Sequence, residues 1–182
     1  MARRVTPSLA AMRSCLMPLI ALALATVPGC TSSPSPVTSV PTSQVEVVFD
    51  HPDKFLDIRD RNNPTDAGEK EVMATLRDYI VQRAPRYLSP GSSLKITFVD
   101  VKLAGVFRIG GLGDRRVVLS TTPPLFKFSW SVTDRTGRVV DGAREILDEP
   151  DFKDLFSDAD EGDPYRYEKA VLDDWMRNRL QS

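Results

Sequence analysis

The 182-residue chain has little of the chemistry that catalysis and metal binding most often use. It contains two cysteines, Cys15 and Cys30, and one histidine, His51. A protein zinc site needs three or four ligands, usually Cys or His, so this composition argues against one. The chain has no nucleophile motif such as G-x-S-x-G that would give His51 a catalytic partner. We therefore expect no catalytic residue, no metal site and no cofactor, and we interpret His51 as a solvated loop residue.

An excess of positive charge is also missing. The chain has 24 Lys and Arg against 25 Asp and Glu, which gives a formal net charge of −1. Proteins that bind nucleic acids or anionic lipids carry clustered basic side chains on one surface. We therefore expect no nucleic-acid partner and no electrostatic attachment to a membrane. The acids are numerous, but their spacing singles out no catalytic carboxylate pair.

The longest uncharged apolar stretch, residues 14–27, is shorter than the roughly 20 residues that a membrane-spanning helix needs. It follows residues 1–13, which carry three Arg and no acid. A basic segment followed by a short apolar segment is typical of an export signal. Either Met1 or Met12 could be the start of this signal.

The end of the signal has two interpretations. The string "VPGC" ends at Cys30 and resembles the bacterial lipobox, in which the Cys is lipidated and becomes the first mature residue, although Val27 and Pro28 depart from its usual pattern. Cleavage after Ala25 is the alternative. An exported protein with a single free thiol would be unusual, and lipidation removes that thiol. We therefore predict that residues 1–29 are a lipoprotein signal peptide and that Cys30 is the lipidation site.

Residues 30–44 are rich in Ser, Thr and Pro, carry no charge and are predicted to form a tether. Cleavage before Cys30 would remove three Arg and change the formal charge from −1 to −4. The expected location is the cell envelope, at the outer membrane and facing the periplasm, with the lipid as the membrane contact. A soluble periplasmic protein is the alternative.

Residues 45–182 are predicted to form a single α+β domain, a two-layer sandwich. We expect a mainly antiparallel sheet of about four strands and two helices, in the order β-α-β-β-β-α. The strands are expected at residues 45–49, 93–107, 125–132 and 138–147, with a short one at 116–120, and the helices at 66–84 and 165–180. A change of phase near residues 98–100 predicts a β-bulge or a strand covered on both faces.

Individual residues have expected roles in this domain. Asp66, with Glu69 three residues later, predicts the start of the first helix, and Gly137 is expected to take a positive φ in a hairpin turn. Gly105 is expected to permit a turn or close packing. Asp100 lies among apolar neighbours and is the best candidate for a semi-buried acid, which either caps backbone N–H groups or belongs to a site.

Two longer segments also have expected roles. The final helix has an apolar stripe that should pack in the core, formed by Val171, Leu172, Trp175 and Met176. Residues 148–163 are acidic and are interpreted as a solvated loop, with Phe152, Leu155 and Phe156 holding it to the core. The alternative is that these three side chains form an exposed apolar patch that meets a partner. Calcium is the weaker alternative for this loop, because its glycine and final ligand do not fit EF-hand spacing.

Four strings together resemble a bacterial domain-of-unknown-function family of exported and lipid-anchored proteobacterial proteins. They are "VFDHPDKFLDIR" at 48–59, "LKITFVDVKLAG" at 94–105, "PPLFKFSWSVTDRTGRVV" at 123–140 and "YRYEKAVLDDWM" at 165–176. In the family pattern an Asp precedes the Leu-Ala-Gly string, where this chain has Lys102, and Leu125 replaces a basic residue. The resemblance implies a class and a compartment but no activity.

These observations lead to three functional hypotheses. The first is a non-catalytic envelope lipoprotein that binds or helps assemble other envelope components, with an envelope protein as its partner. The second is a periplasmic protein that binds a small ligand or a metal through the sheet face, Asp100 or the acids of 148–163. The third is a hydrolase, which the absence of a catalytic constellation makes the weakest.

Overall fold

The computed structural model describes residues 44–60, 63–108, 110, 115–155, 159 and 161–181. The predicted signal peptide, Cys30 and the predicted tether before residue 44 lie outside these residues. The strands are β1 (Val45–Phe49), β2 (Ser93–Lys102), β3 (Val106–Arg108), β4 (Arg115–Val117), β5 (Leu125–Thr133) and β6 (Val139–Asp148). The helices are α1 (Asp66–Arg83) and α2 (Arg166–Leu180), with 3-10 turns at Pro52–Lys54 and Ala84–Arg86.

The main sheet has four strands in the order β1-β2-β5-β6. β1 and β2 are parallel, with Val47 opposite Ile96, whereas β2–β5 and β5–β6 are antiparallel. Parallel neighbours need a crossover connection, and the segment containing α1 supplies it. β3 and β4 form a separate two-stranded hairpin. The predicted α+β fold with a mainly antiparallel sheet and two helices is confirmed.

The two helices pack on one face of the sheet, which we call the inner face. One continuous core joins α1, the inner rows of β1, β2 and β5, and α2. At its centre the ring of Trp175 from α2 meets Phe128 and Trp130 of β5 edge-on, with ring centroids 4.8 and 5.7 Å away. The apolar stripe predicted for the final helix is therefore part of the core, and Phe152 is also fully buried there.

The predicted β-bulge is present in β2, where the register with β5 shifts between Phe98 and Asp100. The inserted residue, Val99, is 51% exposed, while Phe98 and Val101 on either side are fully buried. The bulge therefore returns Val101 to the inner face after Phe98. This excludes the alternative of a strand covered on both faces.

Two local predictions need correction or confirmation. The cap of α1 is Thr65, whose hydroxyl accepts a hydrogen bond from the Gly68 N–H at 3.3 Å, so the helix is capped one residue before the predicted Asp66. A hydroxyl at this position satisfies an N–H group that the first turn cannot pair internally. Gly137 takes a φ of +82° in the β5–β6 turn, as predicted.

An ion pair joins the two helices at their carboxyl-terminal halves. Asp173 of α2 is 1% exposed and accepts hydrogen bonds from Arg83 Nε at 2.7 Å and from the Tyr87 hydroxyl at 3.0 Å. Burial raises the pKa of Asp173, but the hydrogen bonds from Arg83 and Tyr87 outweigh burial and hold this pKa below its ordinary value. The carboxylate therefore stays charged and fixes α2 against the end of α1.

Candidate functional site

Neither described helix covers the opposite face of the sheet, and part of this face combines apolar and charged side chains. We call this part the outer-face patch; it consists of Val99, Asp100, Lys127, Ser129, Arg144 and Ile146. β2, β5 and β6 place these residues side by side, because Asp100 lies opposite Lys127 and Lys127 lies opposite Ile146. All of them except Asp100 line a shallow depression of about 410 Å³.

Asp100 lies at the edge of the outer-face patch with both carboxylate oxygens engaged. Oδ1 accepts a hydrogen bond from the Leu56 N–H at 2.9 Å, and Oδ2 is 3.0 Å from Lys127 Nζ. The Asp100 side chain is 13% exposed and that of Lys127 is 40% exposed. Asp100 thus caps a backbone N–H group, one of the two roles that the sequence suggested, and ties the loop after β1 to the sheet.

The rest of the outer-face patch is exposed and less completely paired. Ile146, on the edge strand β6, is 67% exposed, a large value for an aliphatic side chain. The side chain of Arg144, opposite Ser129 on β5, makes no ion pair or hydrogen bond within the described part of the chain. Exposed aliphatic groups beside an unpaired guanidinium are the chemistry found in protein-binding surfaces, where Arg is enriched.

β6 also leaves one edge of the main sheet open, since in the described residues it pairs with β5 alone. Val139 and Val140 at its start are 61% and 50% exposed. The N–H and C=O groups along an unpaired edge can hydrogen-bond to a further extended segment. The outer-face patch therefore continues into an edge at which another chain can pair.

A second group of charged residues lies on the helix side and is buried. We call it the buried polar cluster; it consists of Asp57, Asp60, Arg116, Tyr165 and Glu168. Arg116 of β4 is 6% exposed and lies 2.9 Å from the Asp57 carboxylate. Its guanidinium also donates to the carbonyl groups of Arg59 at 3.1 Å and of Leu103 and Gly105 at 3.3 Å. One side chain thus holds three separate segments together.

Glu168, in the first turn of α2, is 2% exposed. Its Oε1 accepts a hydrogen bond from the Ala104 N–H at 2.6 Å, and its Oε2 has no hydrogen-bond partner in the described residues. Burial raises the pKa of Glu168 to about 7, although the Ala104 N–H and the charge of Arg116 act in the opposite direction. Glu168 can therefore gain or lose a proton near neutral pH.

Tyr165 completes the buried polar cluster by donating its hydroxyl proton to the Asp60 carboxylate. Burial and the hydrogen bond to Asp60 raise the pKa of Tyr165 above its ordinary value. The other Asp60 oxygen accepts the Asn63 N–H at 2.7 Å. These contacts fix the segment before α1 against the start of α2, so the cluster orders loops and offers little surface to a substrate.

His51 is placed as the sequence suggested. Its side chain is 66% exposed and its Nε2 lies 3.7 Å from an Asp50 oxygen. Across the described residues, no three His, Cys, Asp or Glu side chains are grouped so that they could hold a metal ion. Neither described helix has the length and apolarity that crossing a membrane requires.

Comparison with protein families shows a match to the family described as protein of unknown function DUF3016, over residues 43–178. The chain belongs to the DUF3016 family. The match covers the folded part described above except the last two residues of α2 and Gln181, so the resemblance seen in the four strings is confirmed at the level of the domain. No curated protein and no solved structure matches the chain.

Two of the four strings supply Asp57, Tyr165 and Glu168 of the buried polar cluster of this DUF3016 domain, although the sequence did not single the cluster out. Glu168 lies three and four residues before the buried Val171 and Leu172, and therefore on the apolar stripe of α2. A charged residue on such a stripe is the signal that could have found it. Arg116 gave no comparable signal, because its burial depends on segments distant in the sequence.

Proposed function

We propose that this DUF3016 protein is an envelope lipoprotein that binds a protein partner and takes part in assembling envelope components. In this proposal Cys30 carries the lipid, residues 30–44 act as the tether, and the domain faces the periplasm at the outer membrane. A soluble periplasmic form is the alternative location. Catalysis is not part of the proposal.

The observation that carries the proposal is the exposed outer-face patch on a sheet whose other face packs against α1 and α2 through β1, β2 and β5. Ile146 and Val99 expose aliphatic surface that burial against a partner would remove from water, and burial of apolar area is the main favourable term in association. Arg144 adds a guanidinium that is unpaired in the described residues. The complementary partner surface would present a carboxylate beside aliphatic side chains.

The test is site-specific photo-crosslinking of the full-length protein in native envelopes. A photoreactive residue replaces Ser129 in the outer-face patch or, as the matched control, the exposed Asp78 of α1. We expect one abundant protein adduct from position 129, reduced by Ile146→Ser combined with Arg144→Gln, and none from position 78. The absence of a reproducible protein adduct at position 129 would refute partner binding through this face.

The mass spectra from this experiment also show where the mature protein begins and whether Cys30 carries a lipid. A lipid-bearing N-terminal peptide that begins at Cys30 would support the anchored form, and Cys30→Ser should release the protein from the membrane fraction. A mature N-terminus at Thr26 without lipid would instead favour the soluble periplasmic form. This measurement is independent of the crosslinking result.

A further inference from the structure

The outer face of β6 has opposite charges on either side of an aliphatic side chain. Arg144, Ile146 and Asp148 lie two residues apart in the regular part of the strand, residues 141–148, and therefore share this face. All three are exposed. The side chains of Arg144 and Asp148 make no ion pair or hydrogen bond with the described part of the chain. This row therefore presents a cation, an aliphatic group and a carboxylate in order, with both charges unpaired.

This order of side chains is complementary to itself under a two-fold rotation. When the β6 edges of two copies pair antiparallel with Ile146 opposite Ile146, Arg144 of each copy lies opposite Asp148 of the other. Side chains directly opposite each other in an antiparallel pair share a face, with Cβ atoms about 4.5–5.5 Å apart, and opposite charges there stabilise the pair. Two Arg144–Asp148 pairs therefore flank two Ile146 side chains that contact each other.

The neighbouring registers lack this complementarity. Pairing centred on Arg144 or on Glu145 places that residue opposite its own copy, so that two like charges meet. Pairing centred on Ala143 places Asp141 opposite Glu145. Like charges directly opposite each other destabilise a strand pair. Of these four registers, the one centred on Ile146 brings opposite charges together and places no like charges opposite each other within β6.

The backbone and the inner face of β6 are compatible with the same pairing. In the described residues β6 pairs with β5 alone, so the N–H and C=O groups along its other edge can hydrogen-bond to a second copy. On the inner face Glu145 lies opposite Leu147 of the second copy. Arg179 Nε is already 3.2 Å from a Glu145 oxygen, so this contact introduces no unpaired carboxylate.

We propose that the β6 edge binds a second copy of this chain through antiparallel pairing centred on Ile146. This inference rests on the proposed function and names the partner of the outer-face patch, because Asp148 of the second copy is the carboxylate that meets Arg144. The paired segment is short, residues 144–148. Two copies anchored in one membrane through Cys30 are held at a high effective concentration, which favours such a short interface.

Charge reversal tests the register in the full-length chain carrying Cys30→Ser, which prevents a shared lipid micelle from joining two copies. Analytical ultracentrifugation at about 50 mM salt measures the dimer dissociation constant. Arg144→Asp and Asp148→Arg each place like charges opposite each other and should weaken dimerisation roughly tenfold. The combined variant restores opposite charges and should return the constant to within about threefold of the parent. Asp78→Arg on α1 is the control for net charge and should leave the constant unchanged.

Thiol crosslinking tests the position of the two-fold axis. In the full-length chain with Cys15→Ser and Cys30→Ser, Ile146→Cys places the only thiol on the axis, and a short bismaleimide should link two copies. Val139→Cys is the matched control, because Val139 is also exposed on β6 but lies far from the axis, and it should not be linked. Equal linking at the two positions, no detectable dimer, or failure of the combined charge reversal to restore dimerisation would overturn the inference.

The photo-crosslinking experiment in native envelopes distinguishes this inference from the proposed function. We expect the adduct from position 129 to contain a second copy of the chain, together with linking of Ile146→Cys. If the adduct contains a different protein and Ile146→Cys is not linked, the second copy is the wrong partner and the proposed function stands. If position 129 gives no adduct and Ile146→Cys is not linked, both proposals fail.

Discussion

In the buried polar cluster most charged side chains are buried and make hydrogen bonds or ion pairs within the fold. Along β6 most charged side chains are exposed, and several have no partner among the described residues. Arg116 in the buried polar cluster contacts one carboxylate and three carbonyl groups, while Arg144 in the outer-face patch contacts no partner in the described residues. Leaving a buried polar group unpaired is unfavourable, so most of them are paired within the fold, but exposed ones remain available to another molecule. The first region should therefore govern stability and the second should govern binding.

The largest expected effect comes from removing the cation of the buried polar cluster. Arg116→Met keeps an unbranched apolar side chain but leaves three carbonyl oxygens without their donor and removes one of the two guanidinium groups beside Asp57, which keeps only that of Arg59 at 3.1 Å. Loss of one partner from a buried pair costs about 3–5 kcal/mol in the free energy of unfolding. Urea unfolding followed by circular dichroism measures this loss.

The matched control is Arg144→Met in the outer-face patch, which changes the same residue type at an exposed position. We expect its free energy of unfolding to stay within about 0.5 kcal/mol of the wild type. If the two Arg variants lost similar stability, the contrast between the regions would be wrong.

Two glycines with positive φ provide the next comparison. Gly105 has a φ of +91°, and a Cβ there would lie 2.5 Å from the Val117 carbonyl oxygen, whereas Gly137 has a φ of +82° with no atom within 4 Å of its Cβ position. Gly105→Ala should therefore destabilise by about 2–4 kcal/mol, from strain and overlap together. Gly137→Ala should cost only about 1 kcal/mol, from backbone strain. Thermal and urea unfolding measure the stability of both variants. Equal losses in Gly105→Ala and Gly137→Ala would show that the close approach of the Val117 carbonyl to Gly105 is unimportant.

Local sequence signals predicted most of the fold and little of the buried polar cluster. The turn at Gly137 and the bulge at Val99 follow from residues adjacent in the chain, and both were predictable. The buried contacts of Arg116 depend on the loops before α1 and after β2, which only the folded chain brings together. Glu168 could have been identified from the sequence, because it is a charged residue on the apolar stripe of α2. Asp100 was predictable because its apolar neighbours lie next to it in β2.

Glu168 gives a stability effect that depends on pH. Its pKa is about 7 in the folded protein, against 4.5 for an ordinary glutamate, so between these values the folded state binds more protons than the unfolded state. The free energy of unfolding should therefore fall as the pH rises from about 4.5 to 7, and then level off for this group. Glu168→Gln, which cannot ionise, should remove this slope.

The amide of Glu168→Gln can still accept the Ala104 N–H, as the Oε1 of Glu168 does. We therefore expect the variant to match the wild type near pH 5 and to exceed it at pH 8 by on the order of 1–3 kcal/mol. Unfolding titrations at matched ionic strength across this range measure the difference. A constant difference at all pH values would show that Glu168 does not change protonation on unfolding.

Asp100 has features of both regions, because it supports the fold through a hydrogen bond and also belongs to the outer-face patch. Asp100→Ala leaves the Leu56 N–H without its acceptor and should cost about 1 kcal/mol in the free energy of unfolding. Asp100→Asn keeps an acceptor oxygen and loses only the ion pair with the half-exposed Lys127, which should cost less. If both variants kept full stability but weakened the partner adduct, the role of Asp100 would be in binding instead.

The smallest stability effect is expected in the outer-face patch, where it is most informative. Ile146→Ser removes an aliphatic side chain that is 67% exposed, so the fold loses little buried area and its free energy of unfolding should change by at most about 0.5 kcal/mol. The same change removes the largest exposed apolar group of the patch, and it should reduce the partner adduct at position 129. Stability and adduct yield must therefore separate in this variant, whereas in Arg116→Met both should fall, because a larger fraction of the domain is unfolded. A large loss of stability in Ile146→Ser would mean that the side chain already packs within the fold, and the outer-face patch would then no longer be an open binding surface.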